Sequence, residues 1–302
     1  MAQQEANPSR QINGKPKPYY PDCAGQGQPD QAGKGGHCGQ PDCPICTVFG
    51  FARGVGGGFA GLAAFSDAHV LLFPVATREG PLWVTCPSAL RFIGCEITEA
   101  LDNALYREQQ QGQPLNLGWL LLEVKKYDNG NNWENQIHKP LKDKRVPECI
   151  TQRLGLISDK LFSHVVNSNL EVRTSVSINP ETGAAEEGAL FSYEALPRAT
   201  VLVWDVTCKN PKHFQVGGKP IAAQVNSATI DQPDKVFDVV KTAHDYLEHL
   251  GIGSMGTRGM GRLRVVYPSR TEAAQPGAQQ PGQTEVHSDA QSTSVANTAA
   301  QA

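Results

Sequence analysis

An α+β domain is what this sequence predicts, and three stretches predict it. Residues 69–75, His-Val-Leu-Leu-Phe-Pro-Val, and 81–86, Pro-Leu-Trp-Val-Thr-Cys, are short apolar runs separated by the turn-rich Ala76–Gly80. Runs of this length joined by a short, glycine-containing gap pair as antiparallel strands. Residues 171–178 and 189–194 repeat the theme at period two around the turn Asn179-Pro-Glu-Thr-Gly183. Residues 234–250 carry Val236, Val240, Ala243, Leu247 and Leu250 on one helical stripe, with Pro233 at the start and Gly251 just past the end.

Composition sets the limits. The chain has 302 residues, 39% of them hydrophobic, enough for one or two domains with real cores. A formal net charge of −3 gives no global electrostatic case for nucleic acid, so any RNA contact has to come from local basic patches. No apolar run approaches the ~20 residues that span a bilayer. The opening MAQQEANPSRQINGK has no hydrophobic signal core. A cytoplasmic, membrane-free protein is the expectation, and its eight cysteines then read as reduced thiols or metal ligands. Residues 1–36 are rich in Gln, Pro, Gly and Lys and are expected to be a disordered tail, as are the Ala/Gln/Ser/Thr-rich residues 269–302. That leaves 37–268 as the folded domain.

The domain opens on His37-Cys38-Gly-Gln-Pro-Asp-Cys43-Pro-Ile-Cys46. The Cys43-x-x-Cys46 knuckle with Cys38 close by, and with His37 and Cys23 in the neighbourhood, has the residue types of a tetrahedral zinc site. No second Cys pair accompanies it, and a short loop of reduced cysteines is the competing reading. Arg53–Gly61 is a glycine-rich loop leading to Phe65-Ser-Asp-Ala68 and the first hairpin, whose near-continuous apolarity places it inside a sheet with both faces covered. Asp67 is a lone carboxylate at the strand entry and suits a structural hydrogen bond better than catalysis.

Beyond the hairpin, Ser88–Ile93 and Thr98–Gln111 are expected to be helical, the second capped by Thr98 and ended by Gly112. Gly118–Val124 reads as one strand and Lys125–Arg145 as a polar insertion. Its basic run His138–Arg145, with Lys142 and Arg145, is either a solvated loop or a contact for a phosphate backbone. Gly155 disfavours a helix through 154–157, so a short strand is expected there, followed by a helix from Asp159 capped by Ser158. The hairpin of 171–197 has a weakly apolar tip that projects toward a partner, and Ala199–Val206 returns to the core.

The last motif is Gly253-Ser-Met-Gly256-Thr-Arg258-Gly259-Met-Gly261-Arg262-Leu-Arg264, ahead of an expected final strand. Glycines let backbone N–H groups approach phosphates, and the three arginines supply charge-assisted donors. The competing reading is a tight helix-to-strand connection that needs positive φ. The loop is neither a Walker A motif nor a dinucleotide fingerprint, since no Gly-Lys-Ser/Thr follows and it trails a helix. No nucleophile elbow, HExxH or paired-aspartate arrangement can be assigned.

Together, Cys46-Thr-Val-Phe-Gly50, Phe65–Ala68 with Leu71–Val75, Trp83–Pro87, Leu156–Asp159 with Phe162, Arg173–Pro197 and the terminal glycine-rich loop resemble the RAMP superfamily of CRISPR proteins. The similarity is to the Cmr-type backbone subunits of type III-B effector complexes and covers most of 43–267. The resemblance implies a ferredoxin/RRM-like core with insertions, built around the 69–86 hairpin, and a β-hairpin thumb, here Arg173–Glu194. It also implies head-to-tail copies along a guide RNA, contact with target RNA and other Cmr-type subunits, and antiviral defence. In such a system the protein holds backbone and shape while base pairing reads sequence. Arg258, Arg262, Arg264, Gly256, Gly259, Gly261, Arg173, Lys142 and Arg145 become the candidate RNA contacts.

Family members cleave target RNA with a divalent cation and an Asp carried on a loop between the first core strand and helix. Residues 1–42 do not match that segment, so the core is expected to lack its first strand and helix. No residue takes the catalytic role, and an open sheet edge with a bare face beside the hairpin is expected to cost stability. Two other functions compete. One is another RAMP, such as a type III-A backbone subunit or a guide-processing protein; the other is a zinc-knuckle interaction protein without an RNA role.

Overall fold

The computed structural model describes residues 6–12, 15–18, 23, 36–53, 57–108, 113–127, 133–225, 227–253 and 255–266. The 269–302 tail expected from composition lies outside them. Strands β1 (Ala6–Ile12) and β2 (Lys15–Pro18) pair antiparallel, and Cys23 is fully buried. These residues fall within the 1–36 stretch read from its composition as a tail, most of which lies outside the described residues.

Helix α1 (Pro44–Phe49) follows, with Pro44 at its first turn, then the antiparallel pair β3 (Phe51–Arg53) and β4 (Gly57–Phe59), of which β4 lies within the Arg53–Gly61 stretch expected to be a loop. Next come β5 (Ala63–Phe65), β6 (His69–Thr77), β7 (Gly80–Thr85) and α2 (Pro87–Arg91). Residues 98–104 are not helical. The chain instead enters β8 (Leu105–Arg107), where Leu105 is fully buried. Helical spacing of Leu101 and Leu105 was outweighed by a sheet position, as tertiary packing commonly overrides weak propensity.

The single strand expected over 118–124 is a tight hairpin, β9 (Leu115–Leu117) with β10 (Leu120–Leu122), followed by β11 (Val124–Lys126). Gly118 makes the turn at φ +68°, and a Cβ there would strike the Asn169 side chain at 2.6 Å. The "polar insertion" also holds structure. A π-helical turn, Glu134–His138, runs into α3 (Lys139–Asp143), and Trp133, Ile137 and Leu141 are buried. Three apolar residues at spacing four were enough to fold the basic run onto the core.

After α4 (Glu148–Thr151), β12 (Leu154–Leu156) and α5 (Asp159–Ser168) form as expected, and the Ser158 hydroxyl accepts from the Leu161 amide at 3.4 Å. Gly155 fits because a Cβ would meet Leu105 Cδ1 at 2.5 Å. The second hairpin is β13 (Glu171–Ser175) with β14 (Phe191–Ala195), and β15 (Val201–Val203) and β16 (Val206–Cys208) return to the body. The helix expected over 234–250 is broken into α6 (Pro233–Lys241) and α7 (His244–His249). The Thr242 hydroxyl donates to the Val239 carbonyl at 2.7 Å, the acceptor that residue 243 would use in a continuous helix, and Ala243 N–H turns to Val240 instead. Leu250, at the far end of the predicted stripe, is 65% exposed.

Six strands make the central sheet in the order β11-β8-β12-β7-β6-β15. The β6–β7 hairpin is interior, as its apolarity requires. Along β7 the faces alternate: Trp83 packs with Leu72, Leu90, Leu141 and Leu156, while Leu82 and Val84 pack with Phe73, Leu105, Leu117 and Val165. Both faces of the hairpin are thus covered, because β12 and β15 flank it and α2, α3 and α5 supply apolar layers. A satellite core joins Val48 of α1 to Leu62, Ile230 and α6 residues Val236, Val239 and Val240.

Candidate nucleic-acid interface and cysteine centre

Two of the expected RNA-contact elements meet. On β13, the residues Glu171, Arg173 and Ser175 share one half-buried face, and Val172 and Thr174 the opposite, exposed one. The Arg258 guanidinium donates to the Ser175 hydroxyl, which ties the glycine-rich segment to the end of the β13–β14 ladder nearer the turn, where Ser175 pairs with Phe191. Arg173 donates to Glu171 at 2.8 Å, while its Nε is buried with no hydrogen-bond partner among the described residues. The hairpin exposes apolar side chains along its length, including Val172 at 65%, Leu190 at 67% and Phe191 at 49%. A two-stranded ribbon with exposed apolar and aromatic residues and cations beside it has the means to stack on bases and hold phosphates.

The glycines are explained locally. Gly259 caps a 3-10 turn, Gly256–Arg258, in the left-handed region, and the carbonyl of Gly261 (φ +72°) accepts from Ile252 N–H at 3.0 Å. A Cβ on Gly261 would meet the Ile252 carbonyl at an impossible 1.9 Å. The close connection reading therefore accounts for Gly259 and Gly261, and the segment after Gly261 has no strand among the described residues.

The arginines are not equivalent. Arg258 and Arg262 are exposed. Arg264 makes two hydrogen bonds to Glu248 of α7, one at 2.8 Å from Nε, and this pair holds the Glu248 carboxyl below its usual range. The acid was missed in the sequence because it lies sixteen residues upstream, and only the turn after α7 brings it back. Lys142 and Arg145 are exposed at the end of α3. Asp67 is exposed too. The hydrogen bonds expected of it belong to Ser66, whose hydroxyl accepts from Asp205 N–H at 2.9 Å and donates to the Asp67 carbonyl at 3.0 Å.

At the other end, Cys38, Cys43 and Cys46 come together as expected, and buried Cys23 joins them. All four Sγ atoms lie within 4.8 Å of one another, with Cys38 and Cys46 at 3.7 Å. Cys43 caps α1, accepting from Cys46 N–H at 3.4 Å, and Cys46 Sγ stands 3.9 Å from His37 Nδ1. Hydrogen bonding with Cys23, then Cys43 and Cys46, draws the Cys38 thiol strongly down, while Cys23, Cys38 and Cys46 push the Cys43 thiol strongly up. Among the described residues this is the group of His, Cys, Asp or Glu side chains close enough to hold a metal ion. No helix among them is long and apolar enough to cross a membrane.

The family model of the RAMP superfamily matches residues 11–264, and the chain belongs to that superfamily. Among individual relatives, it is 28% identical over 193 residues to the CRISPR system Cmr endoribonuclease Cmr4 of Pyrococcus furiosus. That alignment takes in 53% of this chain and 65% of the relative, so the chain spans less than two-thirds of the curated protein it matches. Solved structures with a similar chain include a type III-B Cmr-beta complex in the apo state, 14% identical with a TM-score of 0.47 over 72% of this chain and 73% of that one. Another is oligomeric Cmr4 from Pyrococcus furiosus, 20% identical with a TM-score of 0.44 over 72% and 74%.

Proposed function

We propose that this chain is a guide-RNA-binding backbone subunit of a type III-B CRISPR interference complex, acting in the cytoplasm in antiviral defence. Membership of the RAMP superfamily, with the alignment to a Cmr endoribonuclease, supports the class. The observation that carries the RNA role is the junction of Arg258 with Ser175, which joins a basic, glycine-shaped turn to a hairpin with exposed apolar side chains. In this reading Arg258, Arg262 and Arg173 hold the guide backbone, while Arg264 keeps Glu248 as its partner and braces the turn. The hairpin wedges between bases of the guide–target duplex, and further copies of the chain and other Cmr-type subunits continue the filament. Lys142 and Arg145 offer a separate basic surface to the same RNA or to a neighbouring subunit. Base pairing supplies the sequence reading, so the protein needs backbone contacts only.

Replacing Arg258, Arg262 and Arg264 together by alanine is expected to weaken binding of a guide RNA and flatten its dependence on salt. Unchanged affinity across a salt series would remove the assignment.

A further inference from the structure

The four cysteines belong to no part of the RNA reading. Cys23 contributes from far upstream of the Cys38–Cys46 loop and is completely buried, in a segment whose composition gave no reason for order. We propose that Cys23, Cys38, Cys43 and Cys46 form a structural zinc site, closed by Cys23, that clasps the N-terminal segment to α1.

Geometry carries the assignment. Zinc thiolate bonds of about 2.3 Å in a regular tetrahedron place neighbouring sulfurs about 3.8 Å apart. The Cys38–Cys46 separation is 3.7 Å, and no pair exceeds 4.8 Å. A disulfide needs about 2.05 Å, so these sulfurs are not bonded to each other. The Cys46 amide is turned onto Cys43 Sγ at 3.4 Å. His37, 3.9 Å from Cys46 Sγ, is placed to orient that ligand from outside. Four protein ligands close the coordination sphere, so the site holds structure and leaves no position for a substrate.

Zinc in this place does mechanical work. α1 begins at Cys43 and ends in the satellite core through Val48, which packs with Val236, Val239 and Val240 of α6. The Pro41 carbonyl accepts from Ala222 N–H at 2.9 Å, so the loop before the knuckle is fixed to the same region. The metal thereby anchors residue 23 to the core that supports the α6–α7 arm.

The full-length chain, purified without added metal, should contain one zinc per chain, and its zinc X-ray absorption should report four sulfurs at about 2.3 Å. Cys23→Ser should release zinc to a colorimetric chelator more than about 100-fold more readily, since loss of an outer-shell partner alone costs 10–100-fold. Cys149→Ser, at an exposed cysteine outside the cluster, should hold zinc like the parent. Absence of zinc, iron in its place, or a shell of three sulfurs and one nitrogen would overturn the proposal, as would a Cys23→Ser chain that holds zinc like the parent. The absorption measurement on the unsubstituted protein decides the matter if Cys23→Ser does not fold. None of these outcomes depends on RNA binding.

Discussion

Neutralising the arginines in pairs separates those free to meet phosphate from the one already engaged. In Arg258→Gln/Arg262→Gln two exposed cations disappear. Arg258 uses one donor on Ser175, and a guanidinium has five, so the hydrogen bond leaves it competent to hold phosphate. Each phosphate contact contributes about 0.7 to the slope of log K against log salt on a single strand and about 0.9 on a duplex. Two contacts contribute about 1.4–1.8, equivalent to about 25- to 60-fold in affinity at 0.1 M salt relative to 1 M. The comparison variant is Arg264→Gln/Glu248→Gln, which removes a cation and the acid bonded to it. Local charge is unchanged, and an exposed ion pair of this kind contributes little to stability. Fluorescence anisotropy with a labelled guide RNA from 0.05 to about 1 M salt reads both slopes. The first variant should lose affinity at low salt and converge on the parent at high salt, and the second should follow the parent throughout. Equal losses from both, or a first variant with the parental slope, would refute the reasoning.

Three further outcomes follow from the fold. Gly261→Ala should cost on the order of 1–3 kcal/mol in denaturant unfolding, because Ala at φ +72° is strained and its Cβ runs into the Ile252 carbonyl. Ser158→Ala removes the acceptor for Leu161 N–H and should cost about 1 kcal/mol, with the guide-RNA salt slope unchanged. Asp238 is held below 3.8, first by its hydrogen bond from Lys241 and then by Lys235. A depressed folded-state pKa gives stability that is present above 3.8 and lost as pH falls through the folded value, so Asp238→Asn should flatten the acid limb of the melting-temperature profile below 3.8.

The parts of the fold that were legible in the sequence are those whose signal is local. The 69–86 hairpin showed its interior place through apolarity on both faces, and Ser158 ahead of Asp159 marked the start of α5. What stayed hidden depends on contacts distant in sequence. Leu105 left its helical stripe because the sheet had a place for it between β12 and β11. The 234–250 helix broke where the Thr242 hydroxyl took a backbone acceptor, a competition that periodicity does not register. At the interface, the arginines were visible as residue types, but the Arg264–Glu248 pair was not. Three zinc-type ligands stood out by their spacing, and Cys23 was noted upstream of them, but the polar residues around it gave no sign that it would be buried against the other three.

Where RNA touches the chain is the most direct test of the RNA-binding reading. Ultraviolet crosslinking of the full-length protein to a guide RNA, followed by peptide mass spectrometry, locates the contact surface. The account predicts crosslinked peptides from the 171–195 hairpin and from the turn carrying Arg258. Crosslinks confined to the basic helix 139–143, or none at an RNA concentration that saturates binding, would contradict it.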